Sequence, residues 1–267
     1  MGTVSTTSTL LNAINGYWAR RSESFSIHVQ EQLDTQEKQR WKSVVCEVLD
    51  KVLNGKNPQQ LHVCDLGCGP GFFSILTAEM GCHVSALDYC TSMLEQAKQN
   101  ARRAKLPDGA ITFYEADALH PPFHENTFDV LITRNLTWTL IDPTAAYRAW
   151  HRILKPGGVL INFDANWYSY LYNEAQNAQR LRDQQEQRLN YQNAEGYATK
   201  QQCDECEQLA LQLPLSRCIR PAWDKETLTS LHFSKIYLDT DVYKRVWSPE
   251  EQAFYASSPQ FMIVGVK

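Results

Sequence analysis

The sequence predicts an α/β fold built on a doubly wound, mostly parallel sheet, and three observations predict it. Five short apolar runs, 61–66, 83–88, 111–118, 128–134 and 159–165, are separated by segments with helical spacing. Strands that alternate with helices lie parallel, with helices on both faces. The first run leads into glycines at alternate positions, Gly67, Gly69 and Gly71. Each would cost a helix interior about 1 kcal/mol relative to Ala, so they serve a backbone turn or a close approach. The second run ends in an acid, Asp88, placed to accept hydrogen bonds from ribose hydroxyls. With 267 residues, 43% of them hydrophobic, one α/β domain with an insertion is the default.

The elements follow in order. GYWARRSESFSIHVQEQ (16–32) carries Tyr17, Trp18, Arg20, Arg21 and Phe25 outside any strong period. In 34–53, Trp41, Val44, Val45, Val48, Leu49 and Val52 make one helical face that packs on the sheet. LHVCDL (61–66) is the first strand, and FFSILTAEMG after the glycines is a helix that stops at Gly81. The glycines thus connect a strand to a helix N-terminus, whose open N–H groups favour polar or anionic ligands. Their spacing differs from the G-x-G-x-x-G of dinucleotide binders, which disfavours a nicotinamide-dependent dehydrogenase. HVSALD (83–88) is strand two. Ser92 and Glu95 have capping-box spacing, and Met93, Leu94 and Ala97 begin the next helix. ITFYEADA (111–118) is strand three and FDVLITR (128–134) strand four. In 142–158 Asp142 caps a helix, Pro143 fits its first turn and Gly157 follows its end. VLINFDA (159–165) is strand five.

Residues 166–233 form an insertion. Tyr168, Leu171, Tyr172, Ala175 and Ala178 start an amphipathic helix, and ten of the forty residues from 173 to 212 are glutamine. Leu181, Leu189, Leu209 and Leu213 remain for packing, and Pro214 and Pro221 mark a structured connection. Segments 234–247 and 260–267 supply the last two strands. The expected organisation is a lid and packing helix (1–54), a cofactor core (55–165), a helical cap (166–233) and final core strands (234–267).

DLGCGPG, then Asp88, EADA (115–118), FDVLITRNLTW (128–138) and LKPGG (154–158) together resemble the class I S-adenosylmethionine-dependent methyltransferases. The likeness is greatest to the small-molecule branch with the ubiquinone/menaquinone-biosynthesis enzymes, and covers about residues 17–165 plus the last strands. It implies a Rossmann-like, seven-stranded, mostly parallel sheet and S-adenosyl-L-methionine as cofactor. Asp65, Gly67, Cys68, Gly69 and Gly71 match the motif under the methionine part, with Cys68 in a variable, structural position. Asp88 matches the ribose acid, with Tyr89 and Met93 beside the adenine. Ala116, Asp117 and Ala118 match the loop near the adenine amino group. Arg134 and Asn135 match the end of strand four, although an aromatic residue or His often stands where Asn135 does. The Y-W-x-x-R-like start resembles a lid over the cofactor, which brings Tyr17 and Arg21 to it; anchoring of the terminus to the core is the other reading.

Composition bounds the partners. The net charge is -4 and no Lys/Arg-rich block exists, which argues against a nucleic-acid surface. No apolar run approaches the ~20 residues of a membrane span. The start lacks a charged region followed by an apolar stretch, so a cytoplasmic protein, monomer or homodimer, is expected. MGTVST fits a myristoylation pattern short enough to arise by chance. Several of the eight cysteines fall in core strands or turns, and a disulfide framework is not expected. Cys203 and Cys206 form a C-x-x-C pair with Cys218 further on. A structural zinc site usually needs four ligands, so no metal is expected; a thiophilic species such as arsenite is the alternative.

In-line transfer from a sulfonium needs an acceptor lone pair at roughly 3 Å, and a hydroxyl or carbon acid also needs a base. No base signature stands out, and His28, His124, His151 and His232 are scattered. By fold analogy, Tyr17, Asp164, Tyr168 and Tyr172 lie where an acceptor is oriented. Residues 165–225 hold seven Lys/Arg and eight Asp/Glu beside Trp167, Tyr168, Tyr170, Tyr172, Trp223, Arg217 and Arg220. Aromatic walls with few charges suit a compact polar or aromatic ligand, and Trp138, Tyr168, Tyr172 and Arg217 are the expected acceptor contacts. A cofactor-binding protein without transfer activity would keep the same glycine turn and Asp88.

Overall fold

A computed structural model of the chain describes residues 3–190 and 198–267; Met1 and Gly2 of the myristoylation pattern and residues 191–197 of the expected cap lie outside it. The order is α1 (Thr3–Asp34), α2 (Gln36–Leu53), β1 (His62–Leu66), α3 (Phe72–Glu79), β2 (His83–Asp88), α4 (Thr91–Arg103), β3 (Ile111–Glu115), β4 (Phe128–Arg134), α5 (Pro143–Ile153) and β5 (Leu154–Asp164). Then come α6 (Glu174–Asn190), α7 (Lys200–Ala210), α8 (Ala222–Ser230), β6 (Lys235–Asp239), α9 (Tyr243–Val246), α10 (Pro249–Phe254) and β7 (Phe261–Val266). The sheet runs β3-β2-β1-β4-β5-β7-β6, parallel except where β7 pairs antiparallel with β5 and β6. This is the seven-stranded, Rossmann-like arrangement expected. Strand order reverses between β1 and β4, the switch point where such sheets bind ligands.

Each face of the sheet has its own core. On one, the fully buried Trp41 of α2 meets Phe72 and Phe73 of α3 and Phe163 of β5 edge-on, at 6.1, 5.4 and 5.0 Å between centroids. Its indole N–H donates to Glu37 at 3.0 Å, as a buried tryptophan requires. On the other, α5 contributes the fully buried Tyr147 and Trp150, and the Trp150 indole donates to the Ala118 carbonyl at 2.8 Å.

Several expected boundaries are corrected. Residues 16–32 belong to one continuous helix, α1. Its buried face includes Ser22 and Ser26, so a hydrophobic count misses the period. Those small residues admit α4: Asn100 donates to Ser26 Oγ at 3.0 Å and to the Pro70 carbonyl at 2.9 Å, and accepts from Gln30 at 2.9 Å. The helix expected after Ser92 starts earlier, after Cys90, with no side-chain cap. β3 stops at Glu115, because the Asp117 carboxylate turns the chain by accepting the Leu119 N–H at 2.8 Å.

Helix α5 ends at Ile153, and LKPGG joins β5 instead of trailing the helix. Leu154 pairs with Phe128, and the Gly157 N–H donates to the Lys267 carbonyl at 2.9 Å. Tyr168 and Tyr172 lie in a turn, not at the start of the amphipathic helix: Asn173 accepts from Gln176 at 3.1 Å, and α6 begins only at Glu174. The strand expected over 234–247 ends at Asp239, whose side chain accepts the Asp241 N–H at 2.9 Å. The chain then forms α9 and buries Val242, Val246 and Trp247.

The inserted region divides between two layers. α7 packs on α1, joining Cys206, Leu209, Ala210 and Leu213 to Ile14, Tyr17 and Trp138 in a third cluster. α8 instead packs against α5, β6 and β7, as an ordinary helix of the sheet's flank.

Candidate active site

At the switch point lies an open crevice enclosing roughly 880 Å³, its solvent mouth included. Its floor is the glycine turn. Gly67 has φ +63°, and a Cβ there would lie 2.7 Å from a Leu136 methyl. Gly69, at φ +51°, would direct a Cβ into the crevice, where the nearest side-chain atom is Phe25 at 3.7 Å. Both conformations belong to the left-handed region that L side chains avoid. Gly71, at φ +90°, caps α3 and closes on Ala97 at 3.1 Å, outside the crevice wall. Cys68 is buried in the core beneath the turn.

Asp88 comes to the wall with its carboxylate already oriented. One oxygen accepts the Gly69 N–H and the other the Cys90 N–H, each at 2.8 Å. A carboxylate has about four lone-pair sites, so acceptor capacity remains for a vicinal diol. Burial pushes this carboxyl up, and the amides of Cys90, Gly69 and Tyr89 oppose the shift. Asp65 stands behind the turn, accepting from Ser74 Oγ at 2.5 Å, with burial pushing it up to about 6. It supports the floor without lining it. Beside Asp88 the wall continues through Tyr89, Met93, Asp117 and Ala118. Ala116 lies behind them, its N–H bonded to the Asp88 carbonyl at 3.0 Å.

The other end is set by β4. The enclosed Arg134 guanidinium stacks 4.4 Å above Phe72 and 5.1 Å from Trp41, and donates to Gln32 at 2.9 Å. Burial pushes its pKa down, opposed by Glu37, Glu251 and Asp65. Asn135 follows at φ +57°, its N–H bonded to Phe163 and its side chain accepting from Gln260 at 2.9 Å. Asparagine is among the few non-glycine residues that tolerate this backbone region. The departure at this position therefore has a conformational reason.

Helix α1 forms the outer wall through Leu11, Ile14, Asn15, Trp18 and Phe25. These residues recur at helical spacing, which is the signal that could have found Trp18 and Phe25 as wall residues. Tyr17 and Arg21, the α1 residues expected at the cofactor, point toward α7 instead. Arg21 donates to the Tyr17 hydroxyl at 3.1 Å, and the Cys206 thiol meets the hydroxyls of Tyr17 and Tyr168. Burial, then Cys206, raises both phenols, so neither is a base at neutral pH.

The expected acceptor residues fall into two separate pairs, Trp138 with Tyr168 and Tyr172 with Arg217. Trp138 is buried between Trp18 and Tyr168, with centroids at 6.4 and 4.8 Å. Tyr172 lies exposed, donating to the Leu211 carbonyl at 2.8 Å, with Arg217 stacked 4.8 Å above its ring. Asp164 is fully buried, and its carboxylate accepts from Thr137, Trp138, Ala165, Trp167 and Arg220. Those five donors leave it no geometry for taking a proton from an acceptor. Its partner Arg220 also pairs with Asp224 at 2.7 Å, and Asp224 accepts from Tyr147 at 2.7 Å. The network anchors the segment after β4 that carries Thr139, Leu140 and Ile141 to the crevice. Among the described residues no group of three or more His, Cys, Asp or Glu could hold a metal ion. Cys203 is exposed, Cys206 buried, and Cys218 bonded to the Pro214 carbonyl. No helix is long and apolar enough to cross a membrane among the described residues.

Residues 64–162 match the family model of a methyltransferase domain. The chain is 31% identical over 119 residues to the tRNA 5-carboxymethoxyuridine methyltransferase of Escherichia coli K12, covering 44% of this chain and 45% of that protein. It is 36% identical over 103 residues to the ubiquinone/menaquinone biosynthesis C-methyltransferase of Haemophilus ducreyi, covering 37% and 39%. The chain thus spans less than half the length of these curated relatives. The phosphoethanolamine N-methyltransferase 2 of Haemonchus contortus, solved with S-adenosyl-L-methionine, superposes with a TM-score of 0.56 at 16% identity, over 90% of this chain and 60% of that one. At that identity the likeness speaks for the fold.

Proposed function

We propose that this chain, whose core is a class I S-adenosylmethionine-dependent methyltransferase domain of the quinone-biosynthesis type, transfers a methyl group from S-adenosyl-L-methionine to a small-molecule acceptor. The observation that carries the reading is the convergence of Gly69 and Asp88 on one wall: bare backbone joined by a hydrogen bond to a carboxylate with lone pairs to spare. The ribose hydroxyls would lie on Asp88, the adenine between Met93 and Ala118 with Asp117 near its amino group, and the methionine tail along Gly67 and Gly69 toward Arg134 and Asn135. The bound cofactor supplies an electrophilic methyl group. The chain's own residues orient it, and Trp18 and Phe25 on α1 cover it and exclude water.

An acceptor that is small, rather than a nucleic acid, is supported by the net charge of -4 and by the apolar wall from Leu11, Ile14, Leu140 and Ile141. The Escherichia coli relative is named for a tRNA substrate; an RNA acceptor here would bind with a steep salt dependence. We place the protein in the cytoplasm, as a monomer or homodimer. The test is calorimetric titration with S-adenosylhomocysteine, followed by release of that product from S-adenosylmethionine in the presence of fractionated cell extract. Absence of binding refutes the crevice as the cofactor site. Binding with no turnover on any fraction makes the chain a cofactor-binding protein that does not transfer.

A further inference from the structure

The side-chain amide of Asn15 stands on the crevice wall with nothing to hold. Its Oδ1 is buried and accepts no hydrogen bond among the described residues. Buried polar atoms are nearly always paired, and one left unpaired destabilises the fold that contains it. Arg134, Asn135 and Thr139, which share the wall, are each engaged. Arg134 donates to Gln32 at 2.9 Å, Asn135 accepts from Gln260 at 2.9 Å, and Thr139 donates to the Leu136 carbonyl at 2.7 Å.

Apolar groups surround the free amide. Asn15 lies four residues after Leu11 and three before Trp18, so the three share one face of α1, and all of them line the crevice with Ile14. The segment after β4 brings Leu140 and Ile141 to the same crevice, and Ile141 packs against the cluster that contains Ile14. Asn15 therefore belongs to the apolar part of the crevice, where α1 meets that segment. A hydrogen-bonding group set in an apolar wall fixes a ligand's orientation and rejects an analogue that lacks the matching group.

The cofactor does not supply the missing partner. Its ribose hydroxyls are assigned to Asp88, its adenine amino group to Asp117, and its ammonium follows the methionine tail along Gly67 toward Arg134. Those residues sit at the ends of the sheet strands, whereas Asn15 sits on the helix that covers them. A carbonyl oxygen accepts, so its partner is a donor on a second molecule.

We propose that Asn15 positions the methyl acceptor by accepting a hydrogen bond from a hydroxyl or N–H carried on an apolar body. The inference rests on the methyltransferase reading above and narrows its substrate class to molecules that are uncharged where they meet α1. A neutral amide takes up no proton at pH 7, so Asn15 orients the acceptor and is not its base.

The test uses the full chain, as wild type and as Asn15→Leu, which keeps the size of the side chain and removes its amide. Calorimetry with S-adenosylhomocysteine comes first. Binding to the wild type decides the cofactor reading by itself, and the variant should bind within about twofold of wild type. Phenol, aniline and toluene, which are similar in shape, are then titrated into the product complex by ligand-observed NMR. Relative to toluene, phenol or aniline should lose at least about fivefold in affinity between wild type and variant, the worth of one net hydrogen bond. Which of the two loses more distinguishes a hydroxyl from an N–H. If Asn15→Leu does not fold, Asn15→Ala, which adds no atoms, takes its place. Four results overturn the proposal. A smaller change in that ratio leaves no hydrogen bond at Asn15. A wild-type complex that binds none of the three probes has no acceptor space beside the product. A variant that binds S-adenosylhomocysteine more weakly than expected places Asn15 on the cofactor. A wild type that does not bind S-adenosylhomocysteine refutes the methyltransferase reading itself, and with it any acceptor at Asn15.

Discussion

Gly67→Ala should damage cofactor binding through Leu136. A Cβ at Gly67 would sit 2.7 Å from Leu136 Cδ1, 2.9 Å from Cδ2 and 3.0 Å from Cγ, so the leucine must move as a whole. Leu136 lines the crevice, and a displaced leucine enters the space the cofactor needs. Separately, alanine at φ +63° incurs a left-handed penalty of about 1–2 kcal/mol. The two effects are separable. In Gly67→Ala, affinity for S-adenosylhomocysteine should fall at least tenfold, about 1.4 kcal/mol, and stability by about 2–4 kcal/mol, strain and overpacking together. Adding Leu136→Ala should restore much of the affinity. The double variant should stay about 1–2 kcal/mol less stable than Leu136→Ala alone, because the backbone strain persists. Calorimetry and urea unfolding give the two numbers. If Gly67→Ala binds like wild type, the crevice does not hold the cofactor. If the double variant binds as poorly as the single one, Leu136 is not the cause.

Three further outcomes are expected. Asp88→Ala should weaken S-adenosylhomocysteine binding roughly ten- to a hundredfold, the worth of charge-assisted hydrogen bonds of about 1.5–3 kcal/mol; an unchanged dissociation constant would remove the ribose from Asp88. Arg220→Met should cost about 3–5 kcal/mol in urea unfolding, because it strands two fully buried carboxylates, Asp164 and Asp224; a loss below 1 kcal/mol would mean the pairs are not formed. Asp65 reaches about 6 in the folded chain from an ordinary value of 3.8, so between those values the folded state holds more protons than the unfolded one. Stability therefore falls as pH rises through that window, by up to about 3 kcal/mol, and Asp65→Asn should flatten this slope in melting scans between pH 4 and 6.

The glycine turn, Asp88 and the order of five strands were legible because each leaves a local mark: a positive φ demands glycine, and a buried strand demands an apolar run. The crevice-facing side of α1 was harder to see. Its buried face carries Ser22 and Ser26 where leucines would announce it, and they are buried because Asn100, seventy-odd residues away, bonds to one of them. Tyr172 is expected at the acceptor by fold analogy and Arg217 as a charge among the aromatic residues of the cap. The chain turns at Asn173 before α6 begins, and the two side chains stack on each other at the surface. The fate of Asp164 depended on Arg220, a partner 56 positions further along, and no pattern of spacing reveals such an ion pair. The start of β6 could be read from its apolar residues, but its end is fixed by one side-chain turn at Asp239.

The amide of Asn100 joins three pieces of the molecule at a single point: α4, the Pro70 carbonyl of the cofactor turn, and α1 through Ser26 and Gln30. Floor and cover are therefore riveted together at the C-terminal part of α1. A hinge beyond that rivet would tear the turn that receives the cofactor. Whatever doorway admits a nucleoside-sized ligand has its fixed jamb at Ser26. The swinging leaf is the stretch before it, from Leu11 to Phe25, where α1 meets α7 and is held by side-chain packing and the Arg20–Glu205 ion pair. Trp18 rides on that leaf, so the indole that walls the crevice travels with the door.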